Sequence, residues 1–211
     1  QHRHATEFLH WAVARRRTGR LDIPTRRNAL PSRFLPEGEL HDQLRRCLND
    51  DSLPLDVRII GALVRLYALP LVRILELTVD RFHHADGRAY LTISRNAVLI
   101  PPRLAALIEE QIARPRRLST LRPAPGAVPG YLLPGLPPSR PRNASGASNL
   151  MAQYGLPSSV ARNTAMIEAV TQLPPIVVSD LFGIAPKTAH QWAQLAQDSW
   201  ADYLTATEVD T

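Results

Sequence analysis

Lys187 is the only lysine among the 25 basic side chains of this 211-residue chain; the rest are arginine. A guanidinium keeps its charge at any physiological pH and presents a planar fork that matches two phosphate oxygens at once. Anion binding is therefore the first chemistry to test. The 19 acidic residues leave a net charge of +6, and the isoelectric point lies near 10.2. The charge is unevenly spread. Residues 1–46 hold ten Arg against five acids, and from Gln111 to Ile167 there are seven Arg and no acid. From Glu168 onward six acids face one Lys. A basic body with an acidic end suits a polyanion-binding surface and a tail that docks on something basic. An Arg-rich surface that is merely solvated reads the same way from composition alone.

Other chemistries lack their residues. His83 and His84 are adjacent, so in a strand they point to opposite faces and cannot share an ion. His2, His4, His10 and His41 have no acid or Cys at ligand spacing, so no metal is expected. The single Cys47 rules out a disulfide framework and a Cys-based zinc site, and it reads as a small buried hydrophobe. No Gly-rich phosphate loop, G-x-S-x-G or H-E-x-x-H occurs. Neither a cofactor nor a small-molecule substrate is expected. No apolar run approaches the ~18 residues of a membrane span, and Gln1-His2-Arg3-His4 does not begin a signal peptide. The expected location is cytoplasmic and reducing.

The most specific local phrase runs from Val177 to Trp192. A short apolar helix, a Gly183-Ile184 turn and a helix opened by Pro186 are helix-turn-helix phrasing. In that reading Lys187, Thr188, His190 and Gln191 face DNA. An ordinary pair of packed helices has the same spacing.

These groups need elements to position them. Thr6–Arg17 has helical spacing, begins in mid-pattern and breaks at Thr18-Gly19, like the end of a preceding helical domain. Residues 19–36, with Arg20, Arg26, Arg27 and Arg33 among prolines, read as a basic linker. Helices are predicted at Glu37–Asn49 (stripe Leu40, Leu44, Leu48), at Leu55–Ala68 (apolar but for Arg58 and Arg65) and at Leu71–Leu77. The period then becomes two: Val79–His83, Arg88–Ser94 and Ala97–Ile100 read as strands joined by Ala85-Asp86-Gly87 and Arg95-Asn96. A helix opens at Pro101-Pro102 and runs through Ala113. Residues 114–148 are the least structured stretch, with one apolar island at Tyr131-Leu132-Leu133. Helices follow at Asn149–Tyr154, Ser159–Gln172, Pro175–Phe182 and Pro186–Gln197, and a separate piece at Ser199–Ala206. The fold class expected is mainly α with a small three-stranded antiparallel sheet; 37–206 form the main domain and 207–211 a tail.

Four phrases, in order, resemble the catalytic domain of the tyrosine recombinases (phage-integrase type), and a divergent actinobacterial integrase-like group within them. Val72-Arg73-Ile74-Leu75-Glu76-Leu77 resembles the family's G-x-R-x-x-E-L. Val98-Leu99-Ile100-Pro101-Pro102 resembles V-x-L-P after a three-stranded sheet. Ser159-Val160-Ala161-Arg162-Asn163-Thr164 stands where H-x-L-R-H-T is expected, and Leu181-Phe182-Gly183-Ile184 where Leu-Leu-Gly-His is. The resemblance covers residues 37–204. It implies that Arg73 and Arg162 are two phosphate clamps for a phosphorane carrying extra negative charge, with Arg95 a third contact at the turn where the family has Lys. It implies a two-domain clamp on duplex DNA, to which Arg26 and Arg27 contribute, and association with the nucleoid.

The departures fall on the proton-transfer and nucleophilic groups. Arg95 is a poor acid at neutral pH, Ser159 and Ile184 replace the two histidines, and alignment through Thr188 puts Trp192 at the nucleophile. Tyr203, eleven residues on, is the one rescue candidate. The function expected is duplex DNA binding with strand exchange reduced or absent. The alternatives are an active site-specific recombinase using Tyr203 and a helix-turn-helix regulator. The partners implied are double-stranded DNA and a second copy held through the C-terminal helix. For Arg73 and Arg162 the competing reading is plain ion pairing, Arg73 with Glu76.

Overall fold

A computed structural model describes residues 12–15, 17, 18, 31–114 and 130–208, with 199–208 described by backbone only. The chain divides into a unit of Gln1–Leu30 and a unit of Pro31–Thr211. In the first, Ala12–Ala14 are helical and Arg17 N–H donates to Ala12 O. The remainder of the helix expected at Thr6–Arg17, and residues 19–30 of the linker, lie outside the described residues.

The second unit is built around one buried helix. Helix α1 (Glu39–Asn49) packs on α2 (Leu55–Tyr67). The buried stripe of α1 is Leu40, Gln43 and Cys47, with Leu44 and Leu48 half-buried beside it. Its centre is thus rotated from the Leu40–Leu44–Leu48 row, because Gln43 is drawn inward by a polar partner on α2. Every residue from Val57 to Arg65 is buried. A buried charge is tolerated only when it is hydrogen-bonded, and both arginines of α2 are. Arg58 closes the C-terminal end of α1, donating to Cys47 O, Leu48 O and Asp51. Arg65 donates to Gly61 O and twice to Gln43 Oε1.

Cys47 meets α2 at Gly61, where an added Cβ would overlap the Cys47 sulfur. Burial pushes the Cys47 thiol up despite nearby Arg65, Arg46 and Arg58, so it packs as a neutral side chain. Gly61→Ala gains about 1 kcal/mol of helix propensity but overpacks this contact, which costs about 1–3 kcal/mol. The expected net is a lower urea midpoint. The same change in a Cys47→Ala background is expected to be neutral or stabilising.

Ala68, left-handed at φ 47°, ends α2, and Pro70 starts the short α3 (Leu71–Leu75). Sheet order is β1 (Phe82–Ala85), β2 (Arg88–Thr92), β3 (Ala97–Ile100), antiparallel throughout. The first turn follows the sequence. Asp86 and Gly87 both have positive φ (50° and 71°), as a two-residue type I′ hairpin requires. Two strand boundaries differ from expectation. Val79–Arg81 is a 3-10 turn, because Thr78 pairs with Tyr131 and Val79 N–H donates to Gly130 O. The Tyr131-Leu132-Leu133 island thereby docks beside Leu77, and Leu132 and Leu133 join the core. The β2–β3 pairing stops at Thr92, leaving a 93–96 loop in place of a two-residue turn. Ile93 is buried there and the residues after it press against another element, described below.

Helix α4 (Pro102–Ala113) packs on α2. Helix α5 spans Ala144–Gln153, beginning five residues before Asn149. Asn143 caps it, its Oδ1 accepting from Gly146 N–H at 2.9 Å, so the end of the stretch expected to be irregular is helical. Helix α6 (Ser158–Gln172) lies along α2, and α7 (Pro175–Phe182) and α8 (Pro186–Glu208) follow. Helix α8 absorbs the piece expected separately at Ser199–Ala206, since no Gly or Pro interrupts Lys187–Glu208. Among the described residues no helix is long and apolar enough to cross a membrane.

Candidate nucleic-acid interface

Arg73 sits on α3 directly after the buried helix α2 and is exposed. The expected alternative, an Arg73–Glu76 pair, does not form; among the described residues the Arg73 guanidinium has no ion-pair or hydrogen-bond partner. Arg162 is different. On α6 it falls in the row Ser158, Arg162, Met166 (i, i+4, i+8), and Ser158, Ala161, Ala165 and Met166 are all buried. Its side chain therefore leaves the helix on the core side. Its Nε is enclosed without a hydrogen-bond partner, and burial lowers its pKa. An enclosed donor with no acceptor is rare in folded proteins and calls for one.

Helices α3 and α6 share two neighbours, α2 and α5, both of which they touch. The outer face of α6 is occupied by the chain entering this unit. Leu35 N–H donates to Thr164 Oγ1 at 2.8 Å, and Asn163 Nδ2 donates to Arg33 O at 3.0 Å. The Asn-Thr pair after Arg162 thus fixes the end of the linker. Ser159, at the expected first histidine position, is exposed one turn before Arg162.

Arg95 is exposed in the 93–96 loop, and that loop meets the α7–α8 turn. Asn96 Nδ2 donates to Asp180 O at 3.4 Å, and Ser94 abuts Gly183, which is left-handed at φ 63°. Ile184, at the second histidine position, is half-buried against the core. On α8, Lys187, His190 and Gln191 are exposed at i, i+3, i+4, which puts them on one face, while Thr188 is half-buried at its side. Ala189 and Trp192 form the opposite, buried face. Trp192, at the expected nucleophile position, is a 6% exposed core residue. Tyr203 lies in the same helix, its side chain outside the described set, and Arg26 and Arg27 are also outside it.

The acid-free Arg run is partly spoken for. Arg142 is ion-paired with Asp56 at the start of α2, and Arg114 with Glu110 one turn earlier. The second pair is visible as i, i+4 spacing, whereas the first joins residues far apart in sequence and has no local signal. Among the described residues no group of three His, Cys, Asp or Glu is arranged to hold a metal.

The order of helices and the three-stranded sheet is shared with XerH site-specific recombinase in a post-cleavage complex with a palindromic difH substrate. The TM-score is 0.58 at 15% identity, over 86% of this chain and 54% of that one. The fold is that of a tyrosine recombinase. XerA recombinase gives a TM-score of 0.56 at 13% identity, over 88% of this chain and 66% of that one. A lambda integrase dimer bound to a COC' core site gives 0.51 at 11%, over 88% and 68%. This chain thus spans about half of XerH and two-thirds of the other two recombinases. No protein-family model matches the sequence, and no curated protein matches it. At these identities the recombinase likeness is one of fold.

Proposed function

We propose that this chain binds duplex DNA through its recombinase fold, with strand exchange reduced or absent. The observation that carries the reading is Arg162: a guanidinium rooted on the core side of α6, with no carboxylate or carbonyl partner among the described residues. The terminal nitrogens of Arg162, which unlike Nε are not enclosed, suit a phosphate oxygen, and the unpaired Arg73 guanidinium supplies the second clamp. Arg95 and the Lys187–His190–Gln191 face extend the contact, and Arg26 and Arg27 carry it onto the linker. The solved recombinases of this fold described above include DNA-bound complexes, which supports a duplex as the ligand.

The residues at the proton-transfer and nucleophilic positions argue against cleavage. Ser159 and Ile184 carry no titratable group near neutral pH, and Trp192 cannot form a phosphoester. Tyr203 stands eleven residues further along the same helix, about 16 Å at helical rise, too far to replace Trp192 within one chain. The acidic C-terminal part of α8 is the element we assign to docking on a second copy, and the nucleoid is where such a protein would reside.

Duplex affinity is expected to fall linearly with salt on a log–log plot, by about 0.9 per phosphate contacted. A nicked suicide duplex is expected to give no covalent adduct. An adduct that disappears in Tyr203→Phe would establish the active-recombinase alternative. Loss of sequence preference in Lys187→Ala with Gln191→Ala, and no effect of Arg73→Ala, would establish the helix-turn-helix regulator.

A further inference from the structure

Two turns far apart in sequence interlock. The 93–96 loop of the sheet and the turn after α7 meet at Ser94 and Gly183 so closely that a Cβ on Gly183 would fall 2.7 Å from Ser94 Cβ and 2.9 Å from its Oγ. Real Cβ atoms do not approach that closely, so only glycine allows the contact. Gly183 is also left-handed, a conformation glycine adopts without strain. Asn96 adds a hydrogen bond to Asp180 O at the end of α7. Between these two anchoring residues stands Arg95, exposed and without a partner among the described residues.

From this packing we infer that Gly183, Ser94 and Asn96 are positioning residues for Arg95, locking it to the α7–α8 turn as a fixed contact for a backbone phosphate of the duplex. The inference rests on the duplex-binding reading. A free four-residue loop would pay conformational entropy to order Arg95 on DNA, and the lock removes that cost. It also ties Arg95 to Lys187, four residues beyond Gly183 and exposed at the start of α8. The two cations therefore meet the duplex as one body. The nearby carboxylate, Asp180, is exposed and forms no ion pair with either. Its main chain, not its charge, takes part in the lock.

The test is the salt slope of binding to a fluorescein-labelled duplex, with far-UV circular dichroism to confirm folding. Arg95→Ala is expected to flatten the slope by about 0.9, one phosphate contact. Gly183→Ala is expected to flatten it by the same amount in the wild-type background and not at all in Arg95→Ala. Ser94→Gly, which clears the colliding Cβ and hydroxyl, is expected to recover only part of the slope in Gly183→Ala, because the left-handed strain of an alanine at 183 remains. If Gly183→Ala does not fold, Asn96→Ala, a surface change, takes its place with a smaller effect of the same sign. A wild-type slope in folded Gly183→Ala, or a Gly183→Ala loss that persists undiminished in Arg95→Ala, while Arg162→Met still weakens binding, would overturn the lock alone. Absence of duplex binding by the unaltered chain at low salt would overturn the duplex reading and the lock together.

Discussion

Arg162→Met is expected to raise the stability of the folded chain while weakening its binding to duplex DNA. The two signs separate a functional arginine from a structural one. Arg162 brings a guanidinium into the core-facing row of α6, and its enclosed Nε finds no partner. A buried donor left unpaired costs about 1–3 kcal/mol, and methionine fills similar space without it. The urea midpoint should rise. On DNA the terminal nitrogens of the same guanidinium are expected to gain a charge-assisted hydrogen bond, of the order of 1.5–3 kcal/mol, so affinity should fall about 10- to 150-fold. A drop in stability would assign Arg162 to the architecture instead. Arg73→Ala, at an exposed and unpaired site, should change stability by less than about 0.5 kcal/mol and still weaken binding. If both guanidinium groups grip one phosphate, the double variant is non-additive by more than about 0.5 kcal/mol. Additive losses would place them on separate phosphates and remove the clamp.

How much of this was legible in the sequence depends on range. The hairpin turn at Ala85-Asp86-Gly87, the proline-opened helices at Pro102, Pro175 and Pro186, and the turn at Gly183-Ile184 are local chemistry, and each expectation held. Two of the boundaries that moved did so through partners distant along the chain, and others through local chemistry that the composition masked. The first strand was shortened because Thr78 pairs with Tyr131. The second hairpin loop was widened by Gly183. Asn143 extended α5 backward as a cap at a residue surrounded by Pro, Arg and Ser. The candidate site divides in the same way. Arg73 and Arg162 were singled out by phrase and order. Nothing in the composition distinguishes Arg142, consumed by Asp56, from an arginine available to an anion. The Asn163 and Thr164 clips on Arg33 and Leu35 were equally hidden, since their partners lie some 130 positions away.

The largest effect on stability is expected at Gln43, a residue with no place in any functional phrase. Arg65 is 3% exposed, and among the described residues its one side-chain hydrogen-bond partner is Gln43. Gln43 in turn donates to Glu39 Oε1 at 2.6 Å. The amide thus relays a buried positive charge to a carboxylate at the start of α1, and it does so across the α1–α2 contact that places Cys47 on Gly61. Gln43→Leu would leave the guanidinium with Gly61 O as its only hydrogen-bond partner, in surroundings that already lower its pKa by desolvation. Losing a hydrogen bond to a buried charged group costs about 1.5–3 kcal/mol, against a total of about 5–15 kcal/mol for a folded domain. The expected result is a large fall in urea midpoint. Arg65→Met in the same background should recover most of it, because the charge that lost its partner is then gone. This cycle probes a different part of the molecule from the Arg162 experiment. Helix α2 leads into the turn that presents Arg73, so Gln43→Leu should weaken duplex binding only where the chain is partly unfolded. With urea-free folding confirmed by circular dichroism, the salt slope of Gln43→Leu is expected to equal that of the wild type. A changed slope in the folded variant would mean that the relay, and not only the proposed clamp, shapes the proposed DNA-binding surface.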